Sequence, residues 1–278
     1  MSHHTIREAL QQARHLLHTN SHLEAEILLS FTLGKPRSHL HAWPGKPLEP
    51  IQQSTFQALL TRRVQGEPIA YITGYREFWS LELQVTPDTL IPRPETELLV
   101  ERALELIPQR TPFLVADLGT GSGAIAAAIA SERPHCHILA TDNSPAAIAI
   151  ANANFENLGL TNITTKTGEW CSALSKNSHF NLIISNPPYV PDDEPHLNRG
   201  DLPREPRSAL AAGPDGLNDI RCIIHQAPSH LPPGGWLLLE HGYDQAEKVQ
   251  SLLKECGLQN PCTFQDMEKR DRVTGGQL

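Results

Sequence analysis

Apolar residues in the first quarter of the chain recur at helical spacing. The first set shares one helix face and comprises Ile6, Leu10, Ala13 and Leu17. A second helix is predicted to end at Gly34 and Pro36, and a third to cover residues 51–64. We therefore predict a small helical domain over residues 1–74.

Two short apolar runs follow this helical region. Phe78–Trp79 and Leu81–Val85 predict a pair of strands, and prolines from Pro87 onward end the pairing. We predict a hairpin linker over residues 75–90, after which 95–107 has helical periodicity.

From Phe113 onward, strand-like apolar runs alternate with helical segments. The predicted strands include FLVADL, CHILATD, FNLIIS and GGWLLLE, and the predicted helices include residues 216–231 and 243–256. Such alternation predicts βαβ units, so the fold class is α/β, with a mainly parallel sheet and helices on both faces. Residues 91–278 form this predicted domain. Residues 187–214 contain seven prolines and little periodicity, which predicts a long functional loop at the C-terminal edge of the sheet.

The charge is distributed unevenly. Residues 1–87 carry eight basic and seven acidic side chains, whereas residues 88–278 carry 15 basic and 24 acidic ones, a net charge of −9. Because affinity for nucleic acid comes largely from Lys and Arg on phosphates, we predict no stable nucleic-acid partner.

The apolar runs, the cysteines and the histidines each argue against one further class of protein or site. No apolar run approaches the ~20 residues of a membrane span, so no membrane association is predicted. The five cysteines are odd in number and form no CxxC, which predicts a reduced, cytoplasmic protein. The histidines form no metal-binding array, so we predict no metal site.

A glycine-rich loop follows the strand FLVADL. Its glycines allow a tight turn close to a ligand, and the next helix offers free N–H groups. Asp142 ends the next strand, where a carboxylate can accept both hydroxyls of a ribose. NAD and S-adenosylmethionine both remain open on this evidence. The candidate cofactor residues are Asp117, Gly119, Thr120, Gly121, Ser122, Gly123 and Asp142. Trp170, after the third strand, is either an adenine contact or an ordinary aromatic.

Asn186-Pro187-Pro188-Tyr189 comes directly after the fourth strand. An NH₂ group on an sp² carbon is a poor nucleophile because its lone pair is delocalised. The side-chain oxygen of Asn186 and the backbone oxygen of Pro187 could each accept one of its N–H bonds and favour the positive charge that develops during methylation. Pro188 restrains Pro187, and Tyr189 offers an aromatic face. The motif disfavours NAD, since no hydride-transfer site is evident nearby.

Together, DLGTGSG, Asp142 and NPPY resemble the class I S-adenosylmethionine-dependent methyltransferases. Five further motifs resemble the peptide chain release factor glutamine N5-methyltransferases of the HemK/PrmC type: IPRPETE (91–97), GEW (168–170), EPRSALAAGPDGL (205–217), LLLEHG (237–242) and RDRVTGG (270–276). The resemblance covers essentially the whole chain. One departure is Glu169, where the family more often has Asp.

The resemblance implies a Rossmann-like seven-stranded domain, S-adenosylmethionine as cofactor with S-adenosylhomocysteine as product, and a recognition role for the helical domain. Gly119–Gly123, Asp142, Trp170 and Asn186 would hold the cofactor, and Asn186–Tyr189 the glutamine amide. The implied substrate is the Gln of a Gly-Gly-Gln motif in bacterial-type release factors. A monomer is expected. We expect the Gly-Gly-Gln domain of the partner to be basic, so an acidic enzyme surface would speed encounter with it.

Several alternatives stay open. NPPY also suits an adenine-N6 methyltransferase of nucleic acids or a glutamine methyltransferase of a ribosomal protein, and a non-catalytic binding module is a third class. Arg93 and Thr96 either line a substrate channel or cap the helix that starts near Glu95. The terminal Gly-Gly-Gln277 is a chance match or a site of self-methylation.

Overall fold

We analysed a computed structural model that describes residues 4–17 and 21–278. The chain separates into two compact units, residues up to Gly74 and Tyr75–Leu278.

The first unit is helical. Its helices are α1 Ile6–Leu16, α2 Ser21–Leu33, α3 Arg37–Ala42, α4 Pro50–Val64 and α5 Ile69–Thr73. The apolar face predicted from the spacing of Ile6, Leu10, Ala13 and Leu17 is confirmed, because all four are buried in the core of this unit. Thr5 caps α1, where its hydroxyl accepts from the backbone N–H of Glu8 and the Glu8 carboxylate accepts from the backbone N–H of Thr5.

The second unit begins with the predicted hairpin, β1 Tyr75–Phe78 and β2 Leu81–Gln84. Seven further strands form one sheet in the order β5-β4-β3-β6-β7-β9-β8. Their bounds are β3 Phe113–Leu118, β4 Cys136–Asp142, β5 Ile163–Thr167, β6 Leu182–Ser185, β7 Trp236–Glu240, β8 Gln259–Gln265 and β9 Asp271–Gln277. The strands from β3 to β7 pair in parallel, and β8 and β9 are antiparallel. The α/β class and seven-stranded sheet are thus confirmed.

Five helices cover this sheet, and two cores lie against its faces. They are α6 Glu97–Leu106, α7 Ala124–Glu132, α8 Pro145–Asn157, α9 Asn218–Gln226 and α10 Ala246–Glu255. The prediction of one helix over 216–231 was too long, because α9 continues as a separate 3-10 turn, Ala227–His230, with a proline in its first turn. The helix predicted over 243–256 begins later, at Ala246.

The proline-rich segment 187–214 is irregular, as predicted. It contains only short 3-10 turns, at Pro195–Asn198, Leu202–Arg204 and Arg207–Ala209. A bridge between Val190 and Ala211 closes the base of the segment. Its beginning and end are therefore held together beside the C-terminal end of β6.

Candidate active site

A cavity opens at the C-terminal ends of β3, β4 and β6, where the sequence placed its candidate residues. Because the strands are parallel, the loops that follow them meet at one edge of the sheet. The predicted residues that line the cavity are Arg93, Thr96, Gly119, Thr120, Gly121, Ser122, Asp142, Trp170, Asn186 and Pro188. The fold thus brings both predicted groups, for cofactor and for substrate, to one site.

Four of the predicted residues lie beside the cavity without lining it. Asp117 is fully buried below the glycine-rich loop, and Gly123 starts α7 against the ring of Phe155. Pro187 is buried, and the partly buried Tyr189 packs on the core at one face of the sheet.

The glycine-rich loop, residues 119–123, adopts a backbone that favours glycine. Gly119 has φ +72°, and a Cβ there would stand 3.1 Å from the ring of Trp170. Gly121 has φ +56°, and a Cβ there would meet open space. The loop therefore passes directly under an aromatic ring and leaves room for a ligand above Gly121.

Asp117 is a buried carboxyl group with an incomplete set of partners. Its Oδ2 accepts from Thr120 Oγ1 at 2.6 Å, whereas its Oδ1 has no hydrogen-bond partner among the described residues. Burial, together with the nearby charge of Asp142, raises the pKa of Asp117 to about 7. A cationic ligand in the cavity would favour the ionised form of this group.

Asp142 is anchored by two backbone groups. Its Oδ2 accepts from the N–H of Gly121 at 2.9 Å, and its Oδ1 accepts from the N–H of Ser144 at 2.9 Å. Each carboxylate oxygen keeps a further lone pair, so the fixed group can still accept two hydroxyls of a ribose.

Trp170 is held in an uncommon conformation. It has φ +42°, in the left-handed region, and its indole N–H donates to Asp219 Oδ1 at 3.2 Å. Asp219, from the first turn of α9, also lines the cavity, and burial raises the pKa of its carboxyl. This bond fixes the ring over Gly119 with its edge towards α9.

Asn186 has a defined orientation in this structure. Its amide Nδ2 donates to the hydroxyl of Thr96 at 3.0 Å, so its carbonyl oxygen is the part left for a ligand. Behind Thr96 lies Glu240 at the end of β7, whose Oε1 accepts from the hydroxyl of Tyr189 at 3.2 Å. Burial raises the pKa of Tyr189, and the Glu240 carboxylate raises it further, which keeps the phenol protonated as a donor.

Arg93 pairs with a buried carboxylate. Its guanidinium donates to Glu205, whose other oxygen accepts from the backbone N–H of Ile91 at 3.1 Å. Glu205 belongs to the proline-rich segment, so this ion pair fastens that segment to the chain that enters α6. Arg93 and Thr96 both line the cavity, and neither side chain accepts a capping hydrogen bond from a helix N-terminus, which was the alternative role.

Sequence reasoning missed Asp219, Glu205 and Glu240 as parts of the site. Glu240 carried a usable signal, since it ends the apolar run LLLE at the C-terminal end of a predicted strand, where ligand sites of such sheets lie. Asp219 and Glu205 carried none, because each lies in a polar stretch and reaches the site only through the fold.

Gln277 lies far from this site along the sheet. It pairs with Trp236 at the start of β7, which is the sheet edge opposite the cavity. Its side-chain amide donates to the carbonyl of Gly234 at 2.9 Å. This placement disagrees with self-methylation within one molecule, because Gln277 cannot reach the cavity of its own chain in this fold.

Two features are absent from the described ranges, residues 4–17 and 21–278. These ranges contain no helix long and apolar enough to cross a membrane. They also contain no cluster of three or more His, Cys, Asp or Glu side chains suited to a metal ion.

This sheet order, with a glycine-rich loop after β3 and Asn-Pro-Pro-Tyr after β6, defines a class I methyltransferase with a Rossmann-like fold. Residues 8–74 match the PrmC N-terminal domain, and residues 95–200 match the methyltransferase small domain. The T. thermophilus 16S rRNA N2 G1207 methyltransferase, solved with AdoMet and guanosine, has a TM-score of 0.55 at 18% identity, over 73% of this chain and 49% of that one. At this identity the likeness concerns the fold alone.

Two sequence relatives show to which family the chain belongs. The release factor glutamine methyltransferase of Coxiella burnetii is 50% identical over 272 residues, 97% of this chain and 97% of that protein. The one from Salmonella typhimurium is 47% identical over 275 residues, 99% of this chain and 98% of that protein. The chain belongs to the release factor glutamine methyltransferase family.

Proposed function

We propose that this enzyme transfers a methyl group from S-adenosylmethionine to the side-chain amide nitrogen of the glutamine in the Gly-Gly-Gln motif of bacterial-type peptide chain release factors. The observation that carries the proposal is the orientation of Asn186. Its Nδ2 is taken up by Thr96, so its carbonyl oxygen is available to accept a substrate N–H.

Several independent features of the cavity suit S-adenosylmethionine as its ligand. Gly119 and Gly121 leave the space that a side chain would fill, and Asp142 presents lone pairs to a ribose. Trp170 supplies an aromatic edge near the place of a base, and the unpartnered Asp117 Oδ1 offers negative charge below the loop. The bound cofactor would supply an activated methyl group.

In the proposed reaction, this chain's residues orient the nucleophile. The Asn186 oxygen and the backbone oxygen of Pro187 each accept one N–H of the glutamine amide, which favours the positive charge that develops on nitrogen. The bound cofactor would supply the methyl carbon to this nitrogen and would keep the electron pair of its S–CH₃ bond. The nitrogen then loses one proton to water, so the product is an N-methyl amide.

The remaining roles extend this proposal. Pro188 stiffens the turn, and the ring of Tyr189 contributes an aromatic surface beside the amide plane. The helical unit contributes to recognition of the release factor, with the segment over residues 75–90 as the linker between it and the domain over residues 91–278. Cytoplasmic location, a monomeric state and the lack of a stable nucleic-acid partner remain predictions, the last supported by the net charge of −9 over residues 88–278.

The test is methyl transfer from labelled S-adenosylmethionine to a purified bacterial-type release factor, with the modified residue mapped by mass spectrometry. We expect one methyl on the glutamine of Gly-Gly-Gln. Asn186→Ala should lower kcat/KM by about 100- to 1000-fold, a much larger change than the one calorimetry detects in the Kd of the cofactor. Methyl transfer to ribosomal protein or nucleic acid, with the release factor unmodified, would refute the proposed substrate.

A further inference from the structure

We propose that Glu240 and Thr96 are positioning residues for Asn186. In this proposal, the ionised Glu240 carboxylate accepts a hydrogen bond from the Thr96 hydroxyl, so that the Thr96 oxygen can only accept from Asn186 and the Asn186 oxygen faces the substrate. The inference rests on the proposed function, since it concerns the orientation of the group that would bind the amide.

The three side chains come from separate parts of the unit and meet behind the cavity. Asn186 follows β6, Thr96 precedes α6, and Glu240 ends β7. Asn186 Nδ2 donates to Thr96 Oγ1 at 3.0 Å. The Thr96 hydroxyl lies near enough to the buried Glu240 carboxyl to lower its pKa. Thr96 and Glu240 are both buried, so water does not compete freely for these groups.

Glu240 has acceptor capacity to spare. Its Oε1 accepts from the Tyr189 hydroxyl at 3.2 Å, whereas its Oε2 has no completed hydrogen bond among the described residues. An ionised carboxylate has no proton to donate, so both neighbouring hydroxyls must point towards it. A buried carboxylate oxygen without a full partner is costly, which argues for a role in the site rather than in stability alone.

The charge of Glu240 controls the direction in which the Thr96 hydroxyl proton points. When Glu240 is ionised, the Thr96 proton points to it and the Thr96 lone pairs face Asn186. When Glu240 is protonated, its own O–H can donate to Thr96, and the Thr96 proton is free to turn towards Asn186. The amide can then flip, which places its NH₂ against the NH₂ of the substrate, and two donors repel.

The ionisation state of Glu240 changes near neutral pH. Burial, together with the nearby charge of Glu95, raises the pKa of Glu240 to about 7. Thr96, Tyr189 and the positive charge of Arg272 lower this pKa. Arg272 is itself paired with Asp266, at 3.0 Å. Because the pKa of Glu240 is raised, its carboxylate form dominates only above a pH of about 7. The proposal therefore predicts that kcat increases as the pH rises through this value.

The first test pairs two substitutions at Thr96. Thr96→Val keeps the shape but removes the hydroxyl, whereas Thr96→Ser keeps the hydroxyl. We expect Thr96→Val to lower kcat about 10- to 100-fold and to abolish its pH transition. Thr96→Ser should recover most of the lost activity and retain the transition. The measurement is a pH profile of kcat at saturating cofactor with a release factor as substrate.

Glu240→Gln provides the second test. Gln has nearly the same shape but always carries an NH₂ donor, so we expect a comparable loss of kcat and a flat pH profile, with unchanged cofactor affinity by calorimetry. If this variant does not fold, the two Thr96 variants still decide the matter. Asp117 also titrates near neutral pH, but a transition that arises there would persist in Thr96→Val.

The outcomes separate the two proposals. If the wild-type enzyme does not methylate the release factor, the proposed function fails, whatever the variants do. If the wild-type enzyme is active and Thr96→Val matches Thr96→Ser in kcat and pH profile, the proposed function stands and the positioning role of Glu240 and Thr96 is refuted.

Discussion

At the residue scale, the site depends on side chains and backbone states that cost free energy. Trp170 and Gly119 both have positive φ, and Asp117 and Glu240 are carboxyl groups without full hydrogen bonding in a buried place. Such features persist only where the surrounding structure imposes them, and they concentrate at functional sites. Here they cluster around one cavity.

Gly119→Ala is predicted to weaken cofactor binding. The new Cβ would require a left-handed alanine, at a cost of about 1–2 kcal/mol, and would stand 3.1 Å from the Trp170 ring. The ring or the loop must then shift, which changes the base and ribose contacts. Calorimetry should show a raised Kd for S-adenosylmethionine.

Gly159→Ala is the matched control for this prediction. Gly159 also has positive φ, +67°, but a Cβ there meets nothing within 4 Å. It should cost similar stability and leave cofactor affinity unchanged. Equal affinity in the two variants would contradict a specific role for the contact between Gly119 and Trp170.

At the element scale, one buried amide joins three elements of the second unit. Asn154 on α8 accepts from the backbone N–H of Gln84 at 2.7 Å and donates to its carbonyl at 2.9 Å. It also donates to the carbonyl of Ser122 at 2.8 Å. Strand β2 and the glycine-rich loop are therefore both attached to α8.

Asn154→Ala is predicted to lower the free energy of unfolding by about 3 kcal/mol, because the backbone N–H and carbonyl of Gln84 and the carbonyl of Ser122 each lose a hydrogen bond in a partly or fully buried place. The midpoint of urea unfolding, followed by tryptophan fluorescence, measures the effect. Asn157→Ala, at an exposed position of the same helix, should change stability by less than about 0.5 kcal/mol. A loss no larger than in this control would show that the bonds of Asn154 are not important for stability.

At the scale of the whole molecule, the charge is concentrated in one part of the chain. Residues 88–278 carry a net charge of −9, whereas residues 1–87 are close to neutral. Opposite net charges on two partners accelerate their encounter, and salt screens this attraction over about 10 Å at 0.1 M.

The predicted consequence is a salt-dependent rate with the protein substrate. If the Gly-Gly-Gln domain of the release factor is basic, kcat/KM should fall as sodium chloride rises from about 0.05 to 0.5 M. An uncharged peptide that contains Gly-Gly-Gln is the control, and its kcat/KM should change little. The same salt dependence for both substrates would rule out electrostatic steering.

The sequence predicted most of the fold because its signals are local. The glycine-rich loop, Asp142 and NPPY each end a strand, and parallel strands bring such ends to one edge. The proline-rich segment was also recognisable from its own composition. The errors lay at element ends, as at α9, where helical periodicity continues beyond a break caused by Pro228.

The sequence by itself therefore determined the fold class, the edge of the sheet that holds the site, and the identity of most residues around it. Only the tertiary structure decided which groups support those residues: Asp219 behind Trp170, Glu205 behind Arg93, and Thr96 and Glu240 behind Asn186. The tertiary structure also shows that Gln277 lies beside the start of β7, at the edge of the sheet opposite the cavity. The physical reason is that spacing along the chain encodes local structure, whereas burial and hydrogen bonding between distant segments arise only when the segments pack together.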